Sequence, residues 1–251
     1  MSGVQNRVAL VTGGGRGIGK AAAELLASRG AKVMCVSRSA SELAEVGLDY
    51  VAADLGTQDG CALAVKETEE RLGPIDIFVC NHGIGSAHEK VLWKQTIETW
   101  EETMRINLDG PFYLTRLIMQ GMVERQYGRI VYTSSTAGLL PEYAGSAYNV
   151  SKHGLIGLMR SAAEDGGEFD ITSNAVLPGW VRTEMAERSA AQEARDRDIT
   201  KEEVWDERAR LYRPGRVATP EEVAAMIAFL ASEESRGVSG EAIRVALGSA
   251  W

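Results

Sequence analysis

Val8-Ala-Leu-Val-Thr-Gly-Gly-Gly-Arg-Gly-Ile-Gly19 is the stretch on which the reading of the whole chain turns. Val8–Val11 is a short apolar run with the character of a buried strand, and a helical pattern, Ile18–Arg29, follows the glycines directly. Glycines at a strand-to-helix turn let the backbone bend tightly and approach a ligand, while helix N–H groups and the positive dipole end attract phosphate. Two familiar phosphate loops do not fit. Gly14–Lys20 nearly matches the triphosphatase pattern G-x-x-x-x-G-K-S/T, but Ala21 stands where Mg²⁺ needs a hydroxyl. The dinucleotide spacing G-x-G-x-x-G fails as well, since the glycines run G-x-x-x-G-x-G from Gly13.

Outward from that turn, short β-branched runs alternate with helical patterns. Lys32–Val36, Tyr50–Ala53, Ile75–Cys80, Ile130–Thr133, Ile171–Leu177 and Ala242–Ala246 read as strands. Ile18–Arg29, Gln58–Leu72, Ile97–Gln126 and Ala147–Ala163 read as helices, and Thr219-Pro-Glu-Glu starts another that runs to about Ala231. Strands that are apolar throughout are buried on both faces. The pattern therefore predicts an α/β fold: a single-domain, doubly wound parallel sheet, Rossmann-like, with helices on both faces, over residues 1–251. One stretch, Thr183–Arg213, is rich in charge and alanine and reads as a two-helix excursion covering a substrate pocket.

Charge and cysteine content narrow the function classes. Among 251 residues, 35 Asp+Glu outweigh 27 Lys+Arg for a net charge of −8, which argues against nucleic acid or an anionic membrane as partner. No apolar run approaches the roughly 20 residues of a membrane helix, and the N-terminal residues lack the pattern of a signal peptide. Cys35, Cys61 and Cys80 form no CxxC pair, which suits buried thiols in a reducing, cytoplasmic setting. His82, His88 and His153 are dispersed, so no metal site is expected. Asn149-Val-Ser151 is a glycosylation sequon inside a predicted helix, and Glu193–Asp198 reads as a solvated helix face.

The glycine spacing resembles the T-G-x-x-x-G-I-G loop of the classical short-chain dehydrogenase/reductase family, and the resemblance runs from about Gln5 to about Leu247. It implies that Gly13, Gly15, Arg16, Gly17, Ile18 and Gly19 cradle a dinucleotide. Asp54-Leu55 looks like the family's adenine-contacting pair. Cys80-Asn-His-Gly83 stands where the family has N-N-A-G, so Asn81 and Gly83 match while Cys80 and His82 depart; His82 could line the cofactor site. Pro178-Gly-Trp-Val-Arg-Thr183 resembles the segment at the nicotinamide end, which assigns Pro178, Gly179, Val181 and Thr183 to the cofactor. The family's D-G-G ending is replaced by Val245-Ala-Leu-Gly-Ser-Ala-Trp251. A homotetramer or dimer built on Ile97–Gln126 and Ala147–Ala163 is implied by the same likeness.

Tyr148-Asn-Val-Ser-Lys152 puts a phenol and an ammonium on one helix face. A phenol of pKa near 10 is a poor base, and a neighbouring ammonium is expected to lower it. Ser134 and Ser135 end a strand, where parallel sheets bind ligands; the family's spacing of 13 before the tyrosine selects Ser135, leaving Ser134 as a packing hydroxyl. Asn107 matches the family's helix-kinking asparagine of the proton relay. The implied activity is an oxidoreductase passing a hydride between nicotinamide and a small ketone or secondary alcohol, with Tyr148 as acid and base, Ser135 on the carbonyl oxygen and Lys152 on the ribose. Alternatives are a ketoreductase for carrier-bound 3-oxoacyl groups, a longer-chain epimerase or dehydratase, and a catalytically silent dinucleotide sensor. At the end of the second strand, Ser37-Arg38 offers a hydroxyl and a guanidinium with no acid to repel a 2′-phosphate, so NADP(H) is expected over NAD(H), with Arg16 in reach of the same phosphate. Met185, Ile199, Val204 and Trp205 are expected to face the substrate.

Overall fold

The computed structural model describes residues 3–87 and 89–249; His88 and the end of the Val245–Trp251 segment lie outside them. Seven strands, β1 (Val8–Thr12), β2 (Lys32–Ser37), β3 (Asp49–Ala52), β4 (Ile77–Cys80), β5 (Gly128–Thr133), β6 (Ile171–Pro178) and β7 (Ala242–Val245), form one sheet in the order β3-β2-β1-β4-β5-β6-β7. Every pairing is parallel. Each crossover carries chain over a sheet face, and the described residues form nine helices, most of them on the two faces: α1 (Gly17–Ser28), α2 (Ala40–Ala44), α3 (Gln58–Leu72), α4 (Ile97–Met104), α5 (Gly110–Arg125), α6 (Ser146–Gly166), α7 (Glu184–Arg197), α8 (Lys201–Arg210) and α9 (Pro220–Leu230).

Two cores follow from the period of two along the strands. Leu10, Met34, Phe78, Ile130 and Tyr132 face α3, α5 and α6, where Leu114, Ile118, Leu155 and Met159 meet them. Their neighbours Ala9, Val11, Val33, Val79 and Val131 face α1 and α9, against Ala22, Leu26, Val223 and Ile227. Continuous apolar runs were thus legible because both faces of each central strand are buried. The strand order switches direction between β1 and β4, which opens the crevice above the strand ends where such sheets bind ligands.

Three features depart from the sequence reading. The expected helix over 97–126 is broken by a π-helical turn, Arg105–Asp109, between α4 and α5, at the kink assigned to Asn107. A short helix, α2, had no apolar period to announce it. The excursion after β6 is indeed two helices, α7 and α8, but these close on a small core of their own, Ala186, Ala190, Ala194, Val204 and Trp205.

Candidate active site

The glycine loop begins with Gly13 at φ +65°, its N–H donating to Val36 O at 2.7 Å, and Gly17 follows at φ +53°. Both lie in the left-handed region that favours glycine. A Cβ on Gly19 would stand 2.1 Å from Gly13 O and 2.5 Å from the Asn81 amide nitrogen, so only glycine lets α1 start this close to β1 and β4. Asn81 fixes the other side: its backbone N–H donates to Thr12 Oγ1 at 2.9 Å and its side chain to Thr12 O at 3.2 Å. Thr183 caps α7, and a Cβ on Gly17 would touch its methyl at 3.3 Å, so the 178–183 segment closes against the glycine loop. Val181 is buried and bridges to Ala218.

At the end of β2, Ser37 is half-buried and Arg38, the next residue, exposed. Arg16 is not free: its guanidinium donates to Glu42 Oε1 at 2.7 Å. Asp54 accepts from Gly56 N at 3.0 Å and pairs with Arg105 at 3.3 Å; these contacts, the Gly56 bond first, hold its carboxyl below the usual range. Leu55 beside it is buried. His82 turns away from the crevice. Its Nδ1 lies 2.9 Å from Thr12 Oγ1 and its Nε2 is buried beside Gly110; burial, with Lys152 nearby, pushes its pKa down to about 3. The backbone of His82 lies against Gly13 of the glycine loop, while its ring is engaged by Thr12.

The chemical groups gather where β5 ends against α6. Asn107 is buried in the π-turn; its Oδ1 accepts from Ile84 N at 2.8 Å, and its Nδ2 donates to Ile84 O at 2.9 Å and Ser151 Oγ at 3.2 Å. The departure from α-geometry aims this side chain across the crevice, holding the chain after β4 against α6. A Cβ on Gly83 would come within 3.0 Å of Asn107 Oδ1 and 3.7 Å of Lys152 Nζ. Lys152 Nζ donates to Thr133 O at 2.9 Å and lies 5.6 Å from the centroid of the Tyr148 ring; burial lowers its pKa to about 8. Ser134 Oγ donates to Lys152 O at 3.0 Å, a packing hydroxyl as expected. Ser135 Oγ accepts from Ala137 N at 3.1 Å, which leaves its proton for another acceptor, and its hydroxyl opposes part of the rise in the Tyr148 pKa.

The expected lowering of the tyrosine pKa is not what this arrangement does. Burial raises it, Glu142 and Glu89 add to the rise, and the Ser135 bond only partly opposes them. The Lys152 ammonium is turned to Thr133 O rather than to the phenol. A phenol held neutral is suited to donate a proton.

The excursion over the site corrects a second expectation. Trp205 is 5% exposed and Val204 fully buried, with Ile199 packed beside them, so none of the three faces substrate. Arg208 stacks on Trp180 at 3.6 Å and bonds Ala186 O, Ser189 and Glu193. Glu193 also bonds Arg197, so the acidic run braces the two helices besides meeting solvent. Met185 alone of the four is exposed, with its sulfur toward Gly85 across the crevice. Composition and spacing also missed Tyr212, whose hydroxyl accepts from Trp180 N at 2.6 Å and lies against Gly179, and they missed the two glutamates. Their only signal was position, in loops flanking the pocket. Among the described residues no three His, Cys, Asp or Glu converge to hold a metal, and no helix is long and apolar enough to cross a membrane.

Comparison with known proteins adds to the geometry. Residues 13–250 match the family model described as enoyl-(acyl carrier protein) reductase. The chain is 36% identical to an acetoacetyl-CoA reductase of Rhizobium meliloti, over 95% of this chain and 96% of the relative. It is 33% identical to the 3-oxoacyl-(acyl-carrier-protein) reductase FabG of Vibrio cholerae, over 96% of each. A crystal structure of a variant actinorhodin polyketide ketoreductase with NADPH superimposes with a TM-score of 0.89 at 30% identity, covering 96% of each chain.

Proposed function

The chain belongs to the short-chain dehydrogenase/reductase family, oxidoreductases that interconvert an alcohol and a carbonyl with a nicotinamide dinucleotide, and from that premise we propose that it reduces the 3-oxo group of an acyl thioester with NADPH. The supporting observation is the meeting of Ser135, Tyr148 and Lys152 at the end of β5 in a chain whose near full-length relatives include a 3-oxoacyl-(acyl-carrier-protein) reductase and an acetoacetyl-CoA reductase. That combination favours the thioester over the free ketone that was the broader expectation.

The residues fit the cofactor. The backbone at Gly13, Gly15, Gly17 and Gly19 is a close-packed cradle at a helix start, and Ser37 with exposed Arg38 would take a 2′-phosphate with no carboxylate at either position. Asp54 and Leu55 would meet the adenine, Asn81 and Gly83 the ribose side, and the 178–183 segment the nicotinamide end. When bound, NADPH supplies the hydride. Tyr148, kept neutral, donates its proton to the carbonyl oxygen as charge grows there, and the free proton of Ser135 bonds the same oxygen. Lys152 has one N–H on Thr133 O and two left for ribose hydroxyls. Asn107 holds the chain after β4 against α6. Exposed Phe112 and Val150 support assembly of copies through α5 and α6, and three buried free cysteines accord with a cytoplasmic setting.

The test is NADPH oxidation at 340 nm with acetoacetyl-CoA, against NADH and against 2-pentanone. Both preferences should be at least about tenfold in kcat/KM, and Arg38→Ala should raise KM for NADPH by a similar factor, the range of one charged hydrogen bond, with KM for NADH unmoved. No oxidation with acetoacetyl-CoA overturns the substrate, and equal or better kcat/KM with NADH overturns the cofactor.

A further inference from the structure

Two carboxylates rim the phenol, and proton transfer uses neither. Glu89, in the segment after β4, occupies the first free amides of α6: Oε2 accepts from Ala147 N at 2.8 Å and Oε1 from Tyr148 N at 2.7 Å. Glu142, in the segment before α6, accepts from Ser86 Oγ at 3.4 Å. Its backbone is fixed separately, since Asn149 accepts from Glu142 N at 3.1 Å and donates to Glu142 O at 2.9 Å. Glu89 thus holds the backbone N–H of Tyr148 itself, and Glu142 is tied to Asn149, the next residue, so both charges bear on the phenol and on each other. Of the cations nearby, Lys152 donates to Thr133 O, while Arg208, held by Ala186 O, Ser189 and Glu193, offsets Glu142 only in part.

We propose that Glu142, backed by Glu89, makes this site select uncharged acyl groups (thioesters, esters and amides of 3-oxo acids) and reject free 3-oxo carboxylates. The inference rests on the 3-oxoacyl reading above. In a free 3-oxo acid the carboxylate is two bonds from the reacting carbonyl carbon. A pose that puts that carbonyl on Ser135 and Tyr148 leaves the charge near the start of α6, which Glu89 and Glu142 flank. Like charges in a partly desolvated crevice repel with little screening, whereas a thioester at the same atoms is neutral. The start of α6 is the local element that would attract an anion, and Glu89 already fills it. Burial, with Glu89, raises the Glu142 pKa against the opposing pull of Ser86 and Arg208, so a second anion adds to an existing cost.

The experiment compares methyl acetoacetate with acetoacetate, one skeleton with and without the charge, using the full chain and saturating NADPH at pH 8. The neutral ester should exceed the anion about 100-fold in kcat/KM, and Glu142→Gln, which keeps the side-chain size and the backbone contacts, should narrow that ratio about tenfold. A wild-type ratio below about three, or a ratio unmoved in Glu142→Gln, overturns the inference. Acetoacetyl-CoA, run alongside, scores the 3-oxoacyl reading by itself. Should none of these be reduced, dissociation constants of acetoacetamide and acetoacetate for the enzyme–NADP⁺ complex still decide charge selection: a tenfold or greater preference for the amide sustains it, and anything less overturns it.

Discussion

Where β5 meets α6, Asn107, Ser134, Ser135, Ser151 and Lys152 are at most 8% exposed, and each has a defined hydrogen-bond partner. Over the crevice, α7 and α8 are built differently. Five buried apolar residues hold them together, and around these runs a ring of exposed ion pairs: Arg197 with Glu193 and Glu207, Lys201 with Glu187. Exposed pairs contribute little individually, so the excursion depends on its small core, whereas the strand ends inherit the rigidity of two large ones. The difference teaches a division of labour. Groups that must hold angstrom geometry sit on the sheet and α6; the cover can change its outer residues without disturbing them.

The sharpest way to break this division is at Trp205. Trp205→Ala should destabilise the α7–α8 unit by about 3–5 kcal/mol, the cost of emptying a buried aromatic site, visible as a lowered melting temperature. The ratio of kcat/KM between acetoacetyl-CoA and a shorter thioester should stay constant. An altered ratio at unchanged stability would put Trp205 back in the pocket.

Next in size is the paired test at β5. Ser135→Ala should lower kcat about 100-fold through loss of a bond to the carbonyl oxygen. Ser134→Ala should leave kcat within a few-fold and cost about 1 kcal/mol of stability by removing one buried hydrogen bond to Lys152 O, which keeps its helical partner. The reverse order would mean that the wrong hydroxyl has been assigned.

Lys152→Met probes what the buried ammonium costs. Its pKa of about 8 lies below the ordinary 10.5, so the unfolded chain binds more protons between these values. The penalty is full below pH 8 and is relieved as pH rises through that window. Methionine removes it at neutral pH, raising stability by on the order of 2 kcal/mol after the lost bond to Thr133 O is offset, while activity collapses. A lower melting temperature at pH 7 would contradict the burial account.

The smallest effect is expected at Met185, whose sulfur lies toward Gly85 across the crevice. Met185→Ala should change KM unevenly across acyl chain lengths, by a few-fold, with stability moved by less than about 1 kcal/mol. Uniform KM values would reduce Met185 to surface.

The sheet was legible in the sequence because its strands are apolar on both faces, and all seven are present within two residues of their expected bounds. The Tyr148–Lys152 spacing was legible because a helix repeats every 3.6 residues whatever surrounds it. Orientation was not legible. Trp205 and Met185 lie in the same apolar scatter, and only the tertiary arrangement turns one into the α7–α8 core and the other toward Gly85. The tyrosine ionisation is not legible for a similar reason: it depends first on burial, then on Glu142 and Glu89, 6 and 59 residues away in sequence. The π-turn is a local change of helical register at Asn107, which hydropathy alone does not mark.

Replacing the phenol of Tyr148 tests the central claim most directly. Single-turnover NADPH oxidation with acetoacetyl-CoA should slow at least about 100-fold in Tyr148→Phe, within the range for a lost proton donor. NADPH affinity, read by fluorescence on the same preparation, should stay within about threefold. Turnover near that of the unmodified enzyme would contradict the assignment of Tyr148 as the acid.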